Sequence, residues 1–185
     1  MSPFNVPNQL IDFLAINISP KLREFNYRGK RILFTKDIVS KVFNLRSGKM
    51  PVQLLTKSVQ SDLRNKYKGG LVRLPITNIA KNLKKEDKAN VDVVIRHWDL
   101  LCCNTVINPG SGNMMCLDYL GSMGNPKKCH EFDWHEHILE LAMLNVQKNQ
   151  KWKQKELDLD KDNTEFWVSG PLPMLGVSVL FPMIS

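Results

Sequence analysis

The stretch from Phe132 to Trp152, FDWHEHILELAMLNVQKNQKW, constrains the fold of this chain more than any other. Asp133 stands where a helix N-cap belongs, and Glu136 three residues on completes a capping-box pattern. Trp134, Ile138, Leu139, Leu141, Ala142 and Val146 then fall on one broad face at helical spacing. Glu136, Glu140 and Gln147 form the polar stripe. Lys148, Lys151 and Lys153 gather toward the end, where the helix dipole favours cations. An apolar face this wide implies a helix packed against several neighbours. The chain is therefore read as a helical domain built around it.

At 185 residues the chain suits one domain, and 43% apolar with 24% charged residues excludes wholesale disorder. Twenty-six Lys and Arg against 18 Asp and Glu leave a net charge of +8, which favours nucleic acid, anionic lipid or an acidic protein as partner. The plainer reading of that charge is a solvated basic surface. Cys102, Cys103, Cys116 and Cys129 are read as reduced thiols, because Met1–Pro20 carries no secretory signal pattern. The expected location is intracellular, nuclear or cytoplasmic.

Taken in order, Leu10, Ile11, Phe13 and Leu14 make a short amphipathic helix closed by Ser19-Pro20. REFNYRGKRILFT reads as a small hairpin turning at Arg28-Gly29, with Phe25 and Tyr27 facing Ile32 and Phe34. Thr35 then caps a helix carrying Ile38, Val39, Val42 and Phe43, ended by Arg46-Ser47-Gly48. Ser58 to Lys68 forms a polar helix anchored by Val59, Leu63 and Tyr67 and stopped by Gly69-Gly70. Pro75 opens a helix with Ile76, Ile79 and Leu83, and Lys84–Lys88 is a solvated link. Asn90 or Asp92 opens VDVVIRHWDLLCCNTVI, the second buried helix, with Val94, Trp98, Leu101 and Thr105 on one side. Pro109–Gly112 breaks it, and Leu117, Tyr119 and Leu120 mark a short turn.

Two stretches, FNYRGKRILFTKDIVSKVFNL and CLDYLGSM followed by FDWHEHILELAM, resemble a group of transposon-derived plant proteins. The group is the plant mobile-domain-like region that often precedes a SUMO-protease-type domain, and the similarity covers about Ile18 to Val146. It implies a mainly helical, non-catalytic module with a role in interaction or nuclear silencing. Gly170 and Leu172 match the start of the group's glycine–apolar block. With no protease domain following, the chain resembles a shortened copy, and no protease activity carries over.

No constellation of catalytic residues stands out. His135 and His137 lie two apart on a helix and point to different faces, so the two do not readily chelate one ion; Cys129 or His130 with one of them would make a partial site, and ordinary surface histidines are the expected reading. Cys103 and His97 lack an oxyanion-forming glycine motif, and Gly110-Ser111-Gly112 lacks the lysine of a phosphate loop. The chain is expected not to be an enzyme and to carry no metal and no cofactor.

The expected architecture is mainly α: a single helical domain over 1–153 with a small β-hairpin near the N-terminus, a charged linker over 154–165, and an apolar segment over 166–185. That last run is long enough to cross a bilayer, but Pro171, Pro173 and Pro182 with Gly170 and Gly176 break it. It is read as folding back on the domain, and a membrane partner is not expected. The expected function is binding of a protein partner or of a second copy, with Trp167, Leu172, Leu175, Leu180 and Phe181 as contacts. The alternative is nucleic-acid binding through phosphate contacts from Lys21, Arg23, Arg28, Lys30 and Arg31 around the hairpin and Arg64, Lys66 and Lys68 on the polar helix.

Overall fold

The computed structural model describes residues 8–56, 61–71, 73–85, 90–109, 113–159 and 175–176. The fold is mainly α and divides into two compact units, one formed by Met1–Leu45 with Ile138–Ser185 and the other by Arg46–His137.

In the first unit, helix α1 (Asn8–Asn17) leads into β1 (Ile18–Ser19), β2 (Glu24–Tyr27) and β3 (Lys30–Leu33), followed by helix α2 (Lys36–Phe43). The expected hairpin is β2–β3, with Phe25 opposite Ile32 and Tyr27 opposite Lys30. It is not alone: β1 adds to the other edge of β2, so the sheet has three antiparallel strands. Arg28 and Gly29 both take positive φ, 48° and 79°, the two-residue turn whose twist matches the flanking strands. Phe13 of α1 sets its ring edge-on to Phe25 and Tyr27, at 6.1 and 4.9 Å between centroids. Helix α2 ends at Asn44, which takes the left-handed conformation (φ 48°), earlier than the expected stop at Arg46–Gly48.

Helix α6 (Trp134–Leu159) contributes its first turn to the second unit and the rest to the first. Asp133 accepts from the Glu136 amide at 3.0 Å, the capping bond the sequence implied. Trp134, Ile138, Leu139, Ala142, Met143 and Val146 are buried while Glu140, Gln147 and Lys148 are exposed. The helix continues to Leu159, so the start of the charged run is helical. In the first unit Gln150 donates to the carbonyls of Ala15 and Ile18 at 2.7 and 2.9 Å, and Lys153 pairs with Asp12 at 2.6 Å. The Ala15 carbonyl, in the last turn of α1, thus gains a side-chain donor. Leu175 is buried, and a Cβ added at Gly176 would lie 3.8 Å from the Leu14 side chain.

The second unit holds α3 (Asp62–Lys68), α4 (Ile76–Lys85), α5 (Val91–Cys102) and two 3-10 turns, Leu117–Gly121 and Pro126–Glu131. An extended segment after Arg46 is stitched to these turns. Gly48 donates to Phe132 O at 2.8 Å, Asp133 to Met50 O at 2.6 Å, and Gln53 to the Ser122 hydroxyl at 2.7 Å. The approach at Gly48 is so close that a Cβ there would lie 2.0 Å from the Glu131 carbonyl oxygen, which only glycine permits. Among the buried residues of this unit are Leu74, Ile79, Leu100, Met123 and Tyr119.

Helix α3 starts at its Ser61 cap rather than at Ser58, and Gly69 ends it with a φ of 53°. Ser58, Val59, Lys88, Gly110–Gly112 and the tail residues Trp167, Gly170, Pro171, Leu172, Pro173, Leu180, Phe181 and Pro182 lie outside the described residues.

Candidate functional site

Helix α5 carries the surface that most needs an explanation. Asn90 caps it, its side chain accepting from the Val93 amide at 3.4 Å, and Asp92 sits in the first turn where the dipole favours an acid. At the other end Cys103–Ile107 widens into a π-helical turn, with the Asn108 amide bonding back to Cys103 O at 2.8 Å. Asn104 holds that turn: its side-chain amide donates to Leu100 O at 2.9 Å and Cys116 O at 3.3 Å and accepts from the Cys116 amide. Turns of this type are frequent at functional sites.

The inward face of this helix is His97, Leu100, Cys103, Asn104 and Ile107, all buried. The side expected to be buried, with Val94, Trp98, Leu101 and Thr105, is instead the outer one. Trp98 is 59% exposed, Val91 56% and Val106 49%. Val94, Ile95, Leu101 and Cys102 lie half-buried between them, and Thr105 is exposed. From Val91 to Val106 the outer face thus presents seven apolar side chains and one threonine at helical spacing, with no charge among them. At 1.5 Å per residue the stripe is about 22 Å long.

Neighbouring elements of the same unit pack against α5. The Pro126–Glu131 turn packs against α5, with Lys127 pairing with Asp92 at 3.4 Å. Arg96 bonds the preceding loop, donating from Nε to Met123 O at 2.8 Å and from Nη2 to Gly124 O at 3.1 Å. Helix α4 also packs against α5, and the Tyr67 ring of α3 meets His97 edge-on at 5.2 Å. Lys81 and Lys84 of α4 and Lys127 and Lys128 of the turn are exposed.

The interior of this unit offers polar groups but little reactivity. Tyr119 and His137 share a hydrogen bond of 3.1 Å, and burial lowers the His137 pKa, favouring the neutral ring. Burial also holds the Asp99 carboxyl above the ordinary range, against a hydrogen bond from the Cys129 thiol. Burial, with the Asp99 charge adding to it, pushes the Cys129 thiol up to about 12 and raises Cys103 further. Such thiols are poor nucleophiles at neutral pH. Among the described residues no three His, Cys, Asp or Glu side chains are grouped to hold a metal ion.

The residues expected to contact nucleic acid are dispersed. Lys21, Arg23, Arg28, Lys30 and Arg31 belong to the first unit, and Arg64, Lys66 and Lys68 to the second. Arg28 lies over the Tyr27 ring at 5.2 Å, and Arg31 pairs with Glu24 at 2.6 Å. Arg64 is not a surface cation at all. It is buried, donates to Thr56 O at 3.0 Å and Leu55 O at 3.1 Å, and forms an ion pair with Asp118. Lys66 is exposed and Lys68 half-buried. Of the expected protein contacts, Leu175 is buried within the fold, and Trp167, Leu172, Leu180 and Phe181 are outside the described residues. Trp98 carried a readable signal, a tryptophan at the centre of an apolar helix face. What the sequence lacked was any sign of which way that face turns.

Among curated proteins and among solved structures, nothing matches the chain. Residues 1–175 match the family described as a domain of unknown function (DUF8566), and the chain belongs to that family.

Proposed function

We propose that this chain is a non-enzymatic protein-interaction module that binds its partner through the outer face of α5. The observation that carries the reading is Trp98, 59% exposed at the middle of an uncharged apolar stripe. Contiguous apolar surface of this kind marks interaction sites, and interface cores are depleted of charge and enriched in tryptophan. The bordering elements pack against α5 and fix its position, which reduces the ordering cost of binding. A transposon-derived ancestry accompanies the proposal, on the resemblance of Phe25–Leu45 and Cys116–Met143; the binding argument does not depend on it.

The test is affinity capture from the source organism with the intact chain and with Trp98→Ala as matched control. Partners retained by the intact chain and lost by the variant support the reading. Identical capture by both refutes it.

Nucleic-acid binding is the second reading, and one observation favours it: Arg28 and Lys30 stand exposed around a tight turn, with the Tyr27 ring beside them. Weak, steeply salt-dependent binding lost in Arg28→Glu with Lys30→Glu would support it. Absence of binding at low salt would end it.

A further inference from the structure

Resting on the interaction reading above, we infer that the α5 stripe is a seat for an acidic amphipathic helix. Two features of the second unit choose that occupant. The first is charge. The two elements packed against α5 carry exposed lysines, Lys81 and Lys84 on α4 and Lys127 and Lys128 on the Pro126–Glu131 turn. Asp92 offsets one of them, Lys127, at 3.4 Å, and Asp99 is half-buried, which leaves the charge with Lys81, Lys84 and Lys128. An apolar centre with a basic rim is complementary to an apolar seam with acidic flanks.

The second feature is shape. A stripe about 22 Å long and one helix wide matches some four turns of a partner helix packing its own i, i+3, i+4, i+7 seam. A second copy is a poor occupant, because face-to-face pairing brings two lysine-lined rims together. An anionic bilayer shares the charge argument. It would need apolar side chains that stand clear of their surroundings, whereas Val94, Ile95, Leu101 and Cys102 are half-buried.

The experiment uses the full chain and two fluorescent designed helical peptides of about 18 residues. Both have the same leucine seam; one is flanked by glutamates and the other by lysines. The expected result is at least about tenfold tighter binding of the acidic peptide, with the preference shrinking as salt rises. Replacing Lys81, Lys84, Lys127 and Lys128 by glutamate should reverse the preference. Trp98→Ala should weaken binding at least about 30-fold, the loss expected of an interface anchor.

Equal affinity for both peptides, still lost in Trp98→Ala, overturns the acidic-helix inference and leaves the interaction reading standing. Binding unaffected by Trp98→Ala, or no binding of either peptide, overturns both. Trp98-dependent dimerisation in sedimentation, or Trp98-dependent binding to phosphatidylserine vesicles without peptide preference, replaces the acidic helix with that occupant.

Discussion

Replacing Arg64 by methionine tests whether this cation belongs to the fold or to a surface. Methionine keeps most of the buried aliphatic stem and removes the guanidinium, whose side chain is only 10% exposed. Three interactions go with it: donation to Thr56 O, donation to Leu55 O, and the ion pair with Asp118. Hydrogen bonds to a charged group contribute about 1.5–3 kcal/mol each when buried. Asp118 is 35% exposed and Thr56 is at the surface, so water replaces part of what is lost. We expect a net cost of about 3 kcal/mol, within the range for breaking a buried pair. For a chain of this length that lowers Tm by roughly 6–12 °C. Asp118→Asn should cost about 2 kcal/mol by leaving the guanidinium buried without its counter-charge. The double variant should lose less than the sum of the singles, with a coupling of about 1–2 kcal/mol by urea unfolding. Lys66→Met on the exposed side of the same helix should change stability by no more than about 0.5 kcal/mol. Indistinguishable effects at Arg64 and Lys66, or additive effects at Arg64 and Asp118, would refute the reasoning.

Gly48→Ala should destabilise by about 3 kcal/mol or more, because its Cβ would meet the Glu131 carbonyl at 2.0 Å and the obstacle is backbone; thermal unfolding close to wild type would contradict this. Burial raises the Asp99 pKa above its unfolded value, so its contribution to stability is present below about pH 4 and lost as pH rises through the folded pKa. Asp99→Asn should therefore be more stable than wild type at pH 7, with a gap that closes toward pH 4 in urea titrations; a gap that does not change with pH would contradict the burial argument. With its thiol at about 12, Cys129 should be alkylated at pH 8 roughly 10³-fold more slowly in the native chain than in the unfolded one, read by mass spectrometry. Equal rates in both states would place that thiol in water.

Much of the local structure was legible because its determinants are close in sequence. Asp133 and Glu136 announce the start of α6, Asn90 the start of α5, and Arg28-Gly29 the hairpin turn; each is a matter of two to four residues. Strand β1 was not legible, since two residues, Ile18 and Ser19, offer no alternation to detect.

The orientation of α5 failed for a different reason. Val91, Val93, Val94, Ile95, Trp98, Leu100 and Leu101 surround most of the helix, so apolar periodicity does not choose a face. The side that turned inward includes His97 and Asn104. Their burial depends on Tyr67 and Cys116, which are distant in the chain. Arg64 was misread on similar grounds. A polar helix with a serine cap and a glycine stop looks like a surface element, and its acid lies 54 residues away. Polar residues were thus legible as caps but not as buried partners, because burial is a property of the tertiary neighbour.

The central claim is that the outer face of α5 is free surface rather than core, and a paired stability measurement tests it most directly. Leu100, fully buried on the inner face, and Trp98, 59% exposed on the outer, lie two residues apart on the same helix. Leu100→Ala should cost about 2–5 kcal/mol through lost transfer energy and a cavity. Trp98→Ala removes more atoms but takes less apolar surface from the interior, so its cost should be no more than about 2 kcal/mol. The expected result, in urea unfolding of the two variants side by side, is a smaller loss at Trp98 than at Leu100. The reverse order, with Trp98→Ala costing the 3–5 kcal/mol typical of a buried tryptophan, would make this face core and leave no surface for a partner.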